Sequence, residues 1–221
     1  MEATHEVGRR VVVRGGGSLL AVYRYGDDTP KPYFHPVTLG TGLEAPLTLL
    51  SPHDHVHHRG LWFCWKFVNG ENFWEERPTC HRVRTTRLEV DLDTRDRVRW
   101  TSELRWELER GEALLTERRI LAIGSPRGTG DRVRYPIDWD LTFSPAAPAV
   151  ELRLLTVREQ PWGGYAGLGY RPARGMDVDG QLVTSQGAAT TADKGRPAHW
   201  ADYSGGLDGE AAHGGLAIFD H

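Results

Sequence analysis

Residues 97–109 read RVRWTSELRWELE and alternate between apolar and charged side chains along the whole stretch. Apolar or small residues recur at every second position, and arginine, threonine and glutamate occupy the positions between them. A period of two is typical of a β-strand that buries one face and leaves the other in water. Gly111 interrupts the pattern and residues 113–123 resume it. We therefore predict a long antiparallel hairpin with one solvated, charged face.

The flanking sequence repeats this signal in shorter pieces. Alternating or β-branched runs bounded by glycine, proline or aspartate occur at residues 10–14, 18–25, 86–92 and 135–143. Residues 177–200 lack periodicity and predict a long loop with room for one short strand. No stretch carries a helical apolar stripe. The chain is thus predicted to be all-β, a single antiparallel β-sandwich domain over residues 1–221.

The two ends and the bulk composition restrict the class of protein. Residues 214–219 (GGLAIF) predict a buried strand that stops abruptly, which suggests a chain cut short at its C-terminus. A net charge of -3 argues against a nucleic-acid binder. No run of about 18 apolar residues suggests a membrane span, and no secretory leader begins the chain, so a cytoplasmic location is expected. Two cysteines, Cys64 and Cys80, cannot build a disulfide scaffold.

Histidine is concentrated at one point. Residues 53–58 read HDHVHH, so four of six positions are imidazoles. If this segment is extended, His53, His55 and His57 project to one side. Imidazoles two residues apart on a strand can chelate one metal ion, and we predict His55 and His57 as ligands of a divalent metal. Proton transfer near neutral pH is the equally weighted alternative, and packing against neighbouring tryptophans is a third.

A metal site would need a third ligand from elsewhere in the chain, and spacing does not identify it. The candidates are His35, Glu75, His81, His199 and His221.

Aromatic and acidic residues follow the histidines directly. Asn69-Gly70 predicts a tight hairpin turn, which would carry Trp62, Trp65 and Trp74 close to the histidines. Indole faces suit the apolar faces of sugar rings. Glu75 is the favoured carboxylate partner for proton transfer.

Two further segments carry weaker signals. The run GGYAGLGYR at residues 163–171 lacks the features of a phosphate loop and predicts a pocket-lining loop with Tyr165, Tyr170 and Arg171 as ligand contacts, or else a turn-rich connection. Asp138 and Asp140 are about one pleat apart, roughly 7 Å, which suits a glycosidase carboxylate pair but is also common on a wet sheet face.

Several stretches together resemble a bacterial family labelled methane oxygenase PmoA. They are KPYFHP (31–36), DHVHHRGLW (54–62), VNGENFW (68–74), IDWD (137–140), GGYAGLGY (163–170), WADYSG (200–205) and AIFDH (217–221). His53 lies outside this pattern. The resemblance implies a sandwich similar to the galactose-mutarotase-like group, a setting in sugar metabolism, and relatives that continue past the final Asp-His.

These observations lead to one main functional prediction and two alternatives. The main one is a carbohydrate-active enzyme that uses acid–base chemistry, with or without a metal, for epimerisation, mutarotation or glycoside cleavage. The predicted site comprises His55, His58 and Glu75 as catalytic residues, and Arg59, Trp62, Trp74, Tyr165 and Arg171 as substrate contacts. The partner would be a small sugar or glycoside, not nucleic acid or membrane. The alternatives are a non-catalytic carbohydrate-binding module and a histidine-ligated metal oxygenase.

Overall fold

The computed structural model describes residues 1–76, 80–94, 96–130, 132–146, 148–156, 158–159, 164–193 and 195–220. Strands form most of it, in antiparallel sheets that do not close into a barrel, as predicted. In chain order they are β1 (Glu2–Glu6), β2 (Arg10–Gly15), β3 (Ser18–Arg24), β4 (Tyr33–Val37), β5 (Leu61–Trp65), β6 (Phe67–Val68), β7 (Glu71–Asn72), β8 (Arg82–Thr94), β9 (Arg97–Glu107), β10 (Ala113–Gly124), β11 (Ile137–Pro145), β12 (Leu152–Arg153), β13 (Ala166–Tyr170), β14 (Gln181–Thr184), β15 (Gly187–Ala188), β16 (Trp200–Gly206) and β17 (His213–Phe219).

Helical structure is limited. One turn of helix, α1 (Met176–Asp179), and a 3₁₀ turn at Thr191–Asp193 lie in the part of the chain that the structure describes. None of the helices there is long and apolar enough to cross a membrane.

Two sheets make the body of the sandwich. One has six strands in the order β1-β2-β3-β4-β5-β13, and the other has four in the order β11-β10-β9-β8. The predicted hairpin is β9 and β10, joined through Gly111 at φ 87°. The odd-even burial of β9 follows the sequence alternation residue by residue. Its inner face meets the six-stranded sheet, where Tyr23 and Phe34 lie 5.4 and 5.9 Å from the ring of Trp100.

A buried ion pair lies within this core. Arg119 and Glu117 are both fully covered, and the Nε of Arg119 donates to Glu117 Oε1 at 2.6 Å. The indole of Trp106 donates to the other carboxylate oxygen at 2.8 Å. Since buried charges are costly unless paired, this pairing lets two charged side chains occupy inward positions of β10.

Two smaller sheets complete the fold. The strands β12-β6-β7 form one, with the predicted Asn69-Gly70 turn at φ 52° and 80° joining β6 and β7. The strands β15-β14-β16-β17 form the other. The prediction of a long loop over residues 177–200 was therefore wrong, because α1, β14 and β15 lie there. Strands of two and four residues are too short to show a clear period of two.

The C-terminal strand also differs from its prediction. β17 was expected to be buried, yet each of its residues is partly buried or exposed, and Phe219 is 64% exposed. Only the face that carries Leu216 packs on the main core. An apolar run therefore identified a strand here, but not a buried one.

Candidate functional site

The segment of residues 51–60, which we call the histidine loop, is not extended. The amide of His55 donates to the carbonyl of Pro52 at 3.0 Å, and the amide of His58 donates to the carbonyl of His55 at 2.9 Å. These bonds make two successive turns, so the predicted alternation of His53, His55 and His57 along a strand was wrong. Local turn hydrogen bonds satisfy the backbone here in place of a ladder.

The base of the histidine loop is fixed on both sides. Leu50 and Arg59 pair across it as an isolated bridge, and the amide of Ser51 donates to the carbonyl of His58 at 2.8 Å. Gly60 follows at φ +76°, and a Cβ there would lie 2.5 Å from the carbonyl oxygen of Phe34. Only glycine permits the chain to pass this close to β4 and enter β5.

The two turns gather three imidazoles. The ring centroids of His55 and His58 are 4.6 Å apart and stacked, and His57 lies 5.8 Å from His55 and 4.8 Å from His58, edge-on to both. His53 is exposed, as is His55, and it has no ring contact with the other three among the described residues. The loop therefore brings three of its four histidines together.

Asp54 pairs with the first member of the cluster. Its Oδ2 lies 2.9 Å from His55 Nδ1, and Arg171 Nη2 donates to the same oxygen at 3.1 Å. The hydrogen bond with His55 lowers the pKa of Asp54 to about 2, and the charge of Arg171 adds to this. Because Asp54 is ionised at neutral pH, His55 donates from Nδ1 and leaves Nε2 as an acceptor.

Burial keeps the other two imidazoles neutral. It lowers the pKa of His58 to about 4, with further contributions from His57, His55 and Arg171. It also lowers the pKa of His57, where the charge of Lys31 acts in the same direction. At pH 7 both rings therefore carry one N–H and one acceptor nitrogen.

A line of aromatic rings continues from His58 into the interior. His58 to Trp62 is 5.2 Å, Trp62 to Trp74 is 5.5 Å, and Trp74 stacks on Tyr165 at 5.1 Å. Trp62 and Trp74 are only 2% and 5% exposed. We call Trp62, Trp74 and Tyr165 the ring floor, because the two indoles underlie the histidines and do not offer open faces for stacking. Trp65 packs against the same core cluster, and its indole N–H donates to the carbonyl of Arg153.

Glu75 lies beside this floor in an ion pair. Lys66 donates to its Oε1, and the ammonium group also lies 5.4 Å from the ring centre of Tyr165. Burial alone would raise the pKa of Glu75, but hydrogen bonds with Lys66 and Asn72 outweigh it, so the pKa is lowered. The negative charge of Glu75 reaches both His57 and Tyr165.

Arg59 forms an ion pair with Glu76 beside the histidines. Its Nε and Nη2 donate to the carboxylate of Glu76, which also forms a 3.2 Å salt bridge with Lys31. Lys31 donates to the carbonyls of Phe73 and Trp74 as well. One carboxylate therefore joins two cations under the histidine loop.

Four polar atoms of this region are buried and find no hydrogen-bond partner among the described residues. They are His58 Nδ1, Trp62 Nε1, Trp74 Nε1 and Glu75 Oε2. Buried polar groups in native proteins are nearly always satisfied, so such a group needs a specific explanation. Here the indoles supply two donors and the carboxylate supplies an acceptor, all on adjoining side chains.

Of the candidate third metal ligands, Glu75 lies near enough for its charge to reach His57, and three others make contacts elsewhere. His35 bonds Thr48 through Nδ1, His81 pairs with Glu71, and the amide of His199 bonds Ser185. His221 lies outside the described residues. Within the described ranges no three or more His, Cys, Asp or Glu side chains are arranged to hold a metal ion.

Comparison with known families identifies the chain. The model of DUF6807, a family of unknown function, matches residues 10–221. The chain belongs to the DUF6807 family. This finding overturns the PmoA resemblance, which nothing in the comparison supports. No curated protein and no solved structure matches the chain.

The DUF6807 chain has a second concave feature away from the histidine loop. An open depression of about 430 Å³ lies on the outer face of the sheet β15-β14-β16-β17, lined by Val183, Trp200, Asp202, Ala217 and Phe219. The rings of Trp200 and Phe219 face each other across paired strands at 6.5 Å. None of the predicted site residues lines it.

Asp138 and Asp140, by contrast, show no sign of a site. Both are exposed on the outer face of β11, and Asp138 pairs with Arg97 of β9. This is the arrangement of a solvated sheet face.

Sequence reasoning missed three charged residues of the candidate site, Lys31, Asp54 and Lys66, and it considered Glu76 only as a possible general base beside Glu75. Asp54 carried a usable signal, since it directly precedes His55 within the histidine run. Lys66 carried another, because only three lysines occur in a chain whose other basic residues are arginine. The pairing of Lys31 with Glu76 spans 45 positions and had no local signal.

Proposed function

We propose that the histidine loop and the ring floor form the active site of an enzyme that transfers protons on a sugar, an oxidised sugar or a glycoside. The observation that carries the proposal is the Asp54–His55 pair beside a set of buried polar atoms without partners. The pair supplies a base, and the unpartnered atoms supply hydrogen-bond donors and acceptors for a hydroxylated ligand.

The base is His55. An ionised carboxylate on Nδ1 fixes the tautomer, orients the ring and stabilises the imidazolium that forms when Nε2 takes a proton. About half of each side chain of the pair is accessible, so a substrate can reach it. In an isomerisation His55 accepts a proton from the substrate and later returns it, so no net proton is consumed.

The ligand class follows from the unpartnered atoms. The indole N–H groups of Trp62 and Trp74 can only donate, and Glu75 Oε2 can only accept when ionised. A hydroxyl group does both, because its oxygen accepts and its proton donates. A compound with several hydroxyl groups, such as a sugar, therefore satisfies donors and acceptors that a purely apolar ligand would leave unpaired.

Glu75 and His58 act in this proposal as hydrogen-bonding partners of the substrate. Glu75 stays ionised because Lys66 holds it, which suits accepting a hydroxyl proton. His58 stays neutral and offers Nδ1. Mutarotation, epimerisation and glycoside cleavage all require such proton movements, and all three stay open.

A metal has no assigned step in this scheme. The divalent ion at His55 and His57 stays a prediction with two candidate ligands, 5.8 Å apart between ring centres and edge-on. Structural and catalytic zinc sites use three or four protein ligands, and the described residues supply no such group here. The oxygenase alternative gains no support from this arrangement.

The test uses the purified full chain in D2O with proton NMR. Free sugars, 3-oxidised sugars and simple glycosides are followed for anomeric exchange, hydrogen replacement at carbon and bond cleavage. The variant His55→Ala should lower the rate by roughly 10²-fold or more, whereas His53→Ala, in the same loop but exposed, should keep it. Full activity of His55→Ala would refute the proposal, as would a failure to change any of the three sugar classes.

A non-catalytic carbohydrate-binding surface is the second candidate. The ring pair of partly buried Trp200 and exposed Phe219, with Asp202 beside it, favours this reading, since accessible aromatic faces stack on sugars. Calorimetric titration with oligosaccharides would detect binding without turnover. Loss of binding in Trp200→Ala with retention in His55→Ala would support this surface, and the reverse result would count against it.

A further inference from the structure

The charges around the histidine loop are unequal. Three carboxylates, of Asp54, Glu75 and Glu76, are paired with four cations. The cations are Lys31, Arg59, Lys66 and Arg171. His57 and His58 are neutral and add nothing at pH 7. The site therefore carries one unit of positive charge in excess.

The excess lies at Glu76. Asp54 and Glu75 each face one cation, but Glu76 faces both Lys31 and Arg59. The side chain of Lys31 is only 1% exposed and that of Glu76 is 9% exposed. Water screens a charge poorly at such depth, so the surplus acts over a longer range than a surface charge would. The charge of Lys31 reaches the histidine cluster and lowers the pKa of His57 there, while Glu75 and Glu76 act in the opposite direction.

Two arginines beside the loop have guanidinium N–H groups that do not bind a carboxylate. Arg171 uses Nη2 on Asp54, and its Nε and Nη1 have no partner among the described residues. Arg59 uses Nε and Nη2 on Glu76, leaves Nη1 off that carboxylate, and also has a side-chain hydrogen bond with Tyr33. The amide of Arg171 also bonds the carbonyl of Gly60 at 2.7 Å, so both side chains start from adjoining backbone at the base of the loop.

We infer that the substrate of this site is an anionic sugar, one whose carboxylate or phosphate group pairs with Arg171 and Arg59 while its hydroxyl groups face the histidines. This inference rests on the proposed function and narrows it to sugar acids or sugar phosphates. A planar guanidinium with free N–H groups matches either anion. The anion also neutralises the surplus charge, which a neutral sugar cannot do.

Calorimetry on the full chain tests the inference with two matched series. The probes are glucose, glucuronate and glucose 6-phosphate, and the corresponding galactose compounds. At about 0.01 M salt at least one acid or phosphate should bind about tenfold more tightly than its neutral parent, and the preference should shrink at about 0.5 M salt because screening shortens the field. The two anion types tell a carboxylate site from a phosphate site.

A pair of arginine variants locates the effect. Arg171→Gln should remove most of the preference for the anion, whereas Arg174→Gln, an exposed arginine three positions away, should leave it unchanged. Arg171→Lys keeps the positive charge but loses the planar guanidinium group, so it should retain part of the preference for the anion. Circular dichroism and a urea midpoint close to wild type establish that each variant is folded.

The outcomes separate this inference from the proposed function. Equal affinity for neutral and anionic sugars, or a preference that survives Arg171→Gln, overturns the inference while His55-dependent turnover can still stand. Absence of binding and turnover with every probe of both series overturns both.

Discussion

Glu76 and Lys31 form a 3.2 Å salt bridge almost out of reach of water, with the same carboxylate also bound by Arg59. Substitution Glu76→Gln removes the negative charge and leaves two cations facing each other beneath the histidine loop. Breaking a buried pair in this way typically costs about 3–5 kcal/mol of unfolding free energy. Urea unfolding at neutral pH measures it.

Glu75→Gln is the matched control for that prediction. Glu75 is the neighbouring glutamate, and its side chain is 26% exposed and paired with a single lysine. Its loss should destabilise the protein clearly less than Glu76→Gln does. Equal losses for the two variants would contradict the special role of Glu76.

The Asp54–His55 pair gives a prediction for activity. In Asp54→Asn the amide nitrogen can donate to Nδ1, which moves the ring proton to Nε2 and removes the base. Turnover should fall by about 10²- to 10⁴-fold with little change in stability, because the pair is on the surface. Asp140→Asn, an exposed aspartate of β11, should retain full turnover. A large loss in Asp140→Asn would revive the alternative carboxylate pair.

Two glycines with similar backbone angles test how the histidine loop is held. Gly60 and Gly70 have φ of +76° and +80°, but only at Gly60 would a Cβ meet backbone, 2.5 Å from Phe34 O. Gly70→Ala should cost about 1–2 kcal/mol for the left-handed conformation alone. Gly60→Ala should cost about 1–3 kcal/mol more for the clash. Thermal or urea unfolding measures the stability of both variants. Similar losses of stability would show that the backbone at the base of the histidine loop can move to accommodate a Cβ at Gly60.

Acid stability provides a fourth prediction, through His35. Burial, aided by Arg24, lowers its pKa from 6.5 to about 4 in the folded protein. As the pH falls through this window the unfolded chain takes up a proton that the folded protein does not, so stability falls with pH. The contribution is fully present above pH 6.5 and is lost by about pH 4.

His35→Asn can keep a hydrogen bond to Thr48 and has no proton to gain. Its unfolding free energy should therefore change less than that of wild type between pH about 7 and about 4. His53→Asn should follow the wild-type curve, since His53 is exposed. A His35→Asn curve parallel to wild type would contradict this assignment.

The sheets were predictable because their signal is local. Each buried residue of β9 sits two positions from the next, and a reader of the sequence needs no distant information to see it. The same holds for the Asn69-Gly70 turn, whose residues accept positive φ. In the histidine loop, local turn hydrogen bonds form in place of a strand. The direction of each imidazole therefore could not be predicted from its odd or even position in the sequence.

The depth of the aromatic residues was not predictable. Trp62 and Trp74 looked like sugar platforms because of their place beside the histidines, but β13 covers Trp62 so closely that a Cβ at Gly169 would lie 2.6 Å from the indole. Burial of this kind depends on a strand a hundred residues later in the chain. The pairing of Glu76 with Lys31 was hidden for the same reason.

The row of rings from His58 to Tyr165 makes intrinsic tryptophan fluorescence a signal for ligand binding at this site. Two indoles lie within 5.5 Å of each other, one next to an imidazole and the other stacked on a phenol. A ligand that binds beside these rings changes the polarity around the indoles. It therefore changes the emission wavelength and the quantum yield of their fluorescence. Unlabelled compounds can therefore be screened by tryptophan emission alone, with Trp62→Phe and Trp74→Phe to assign the response.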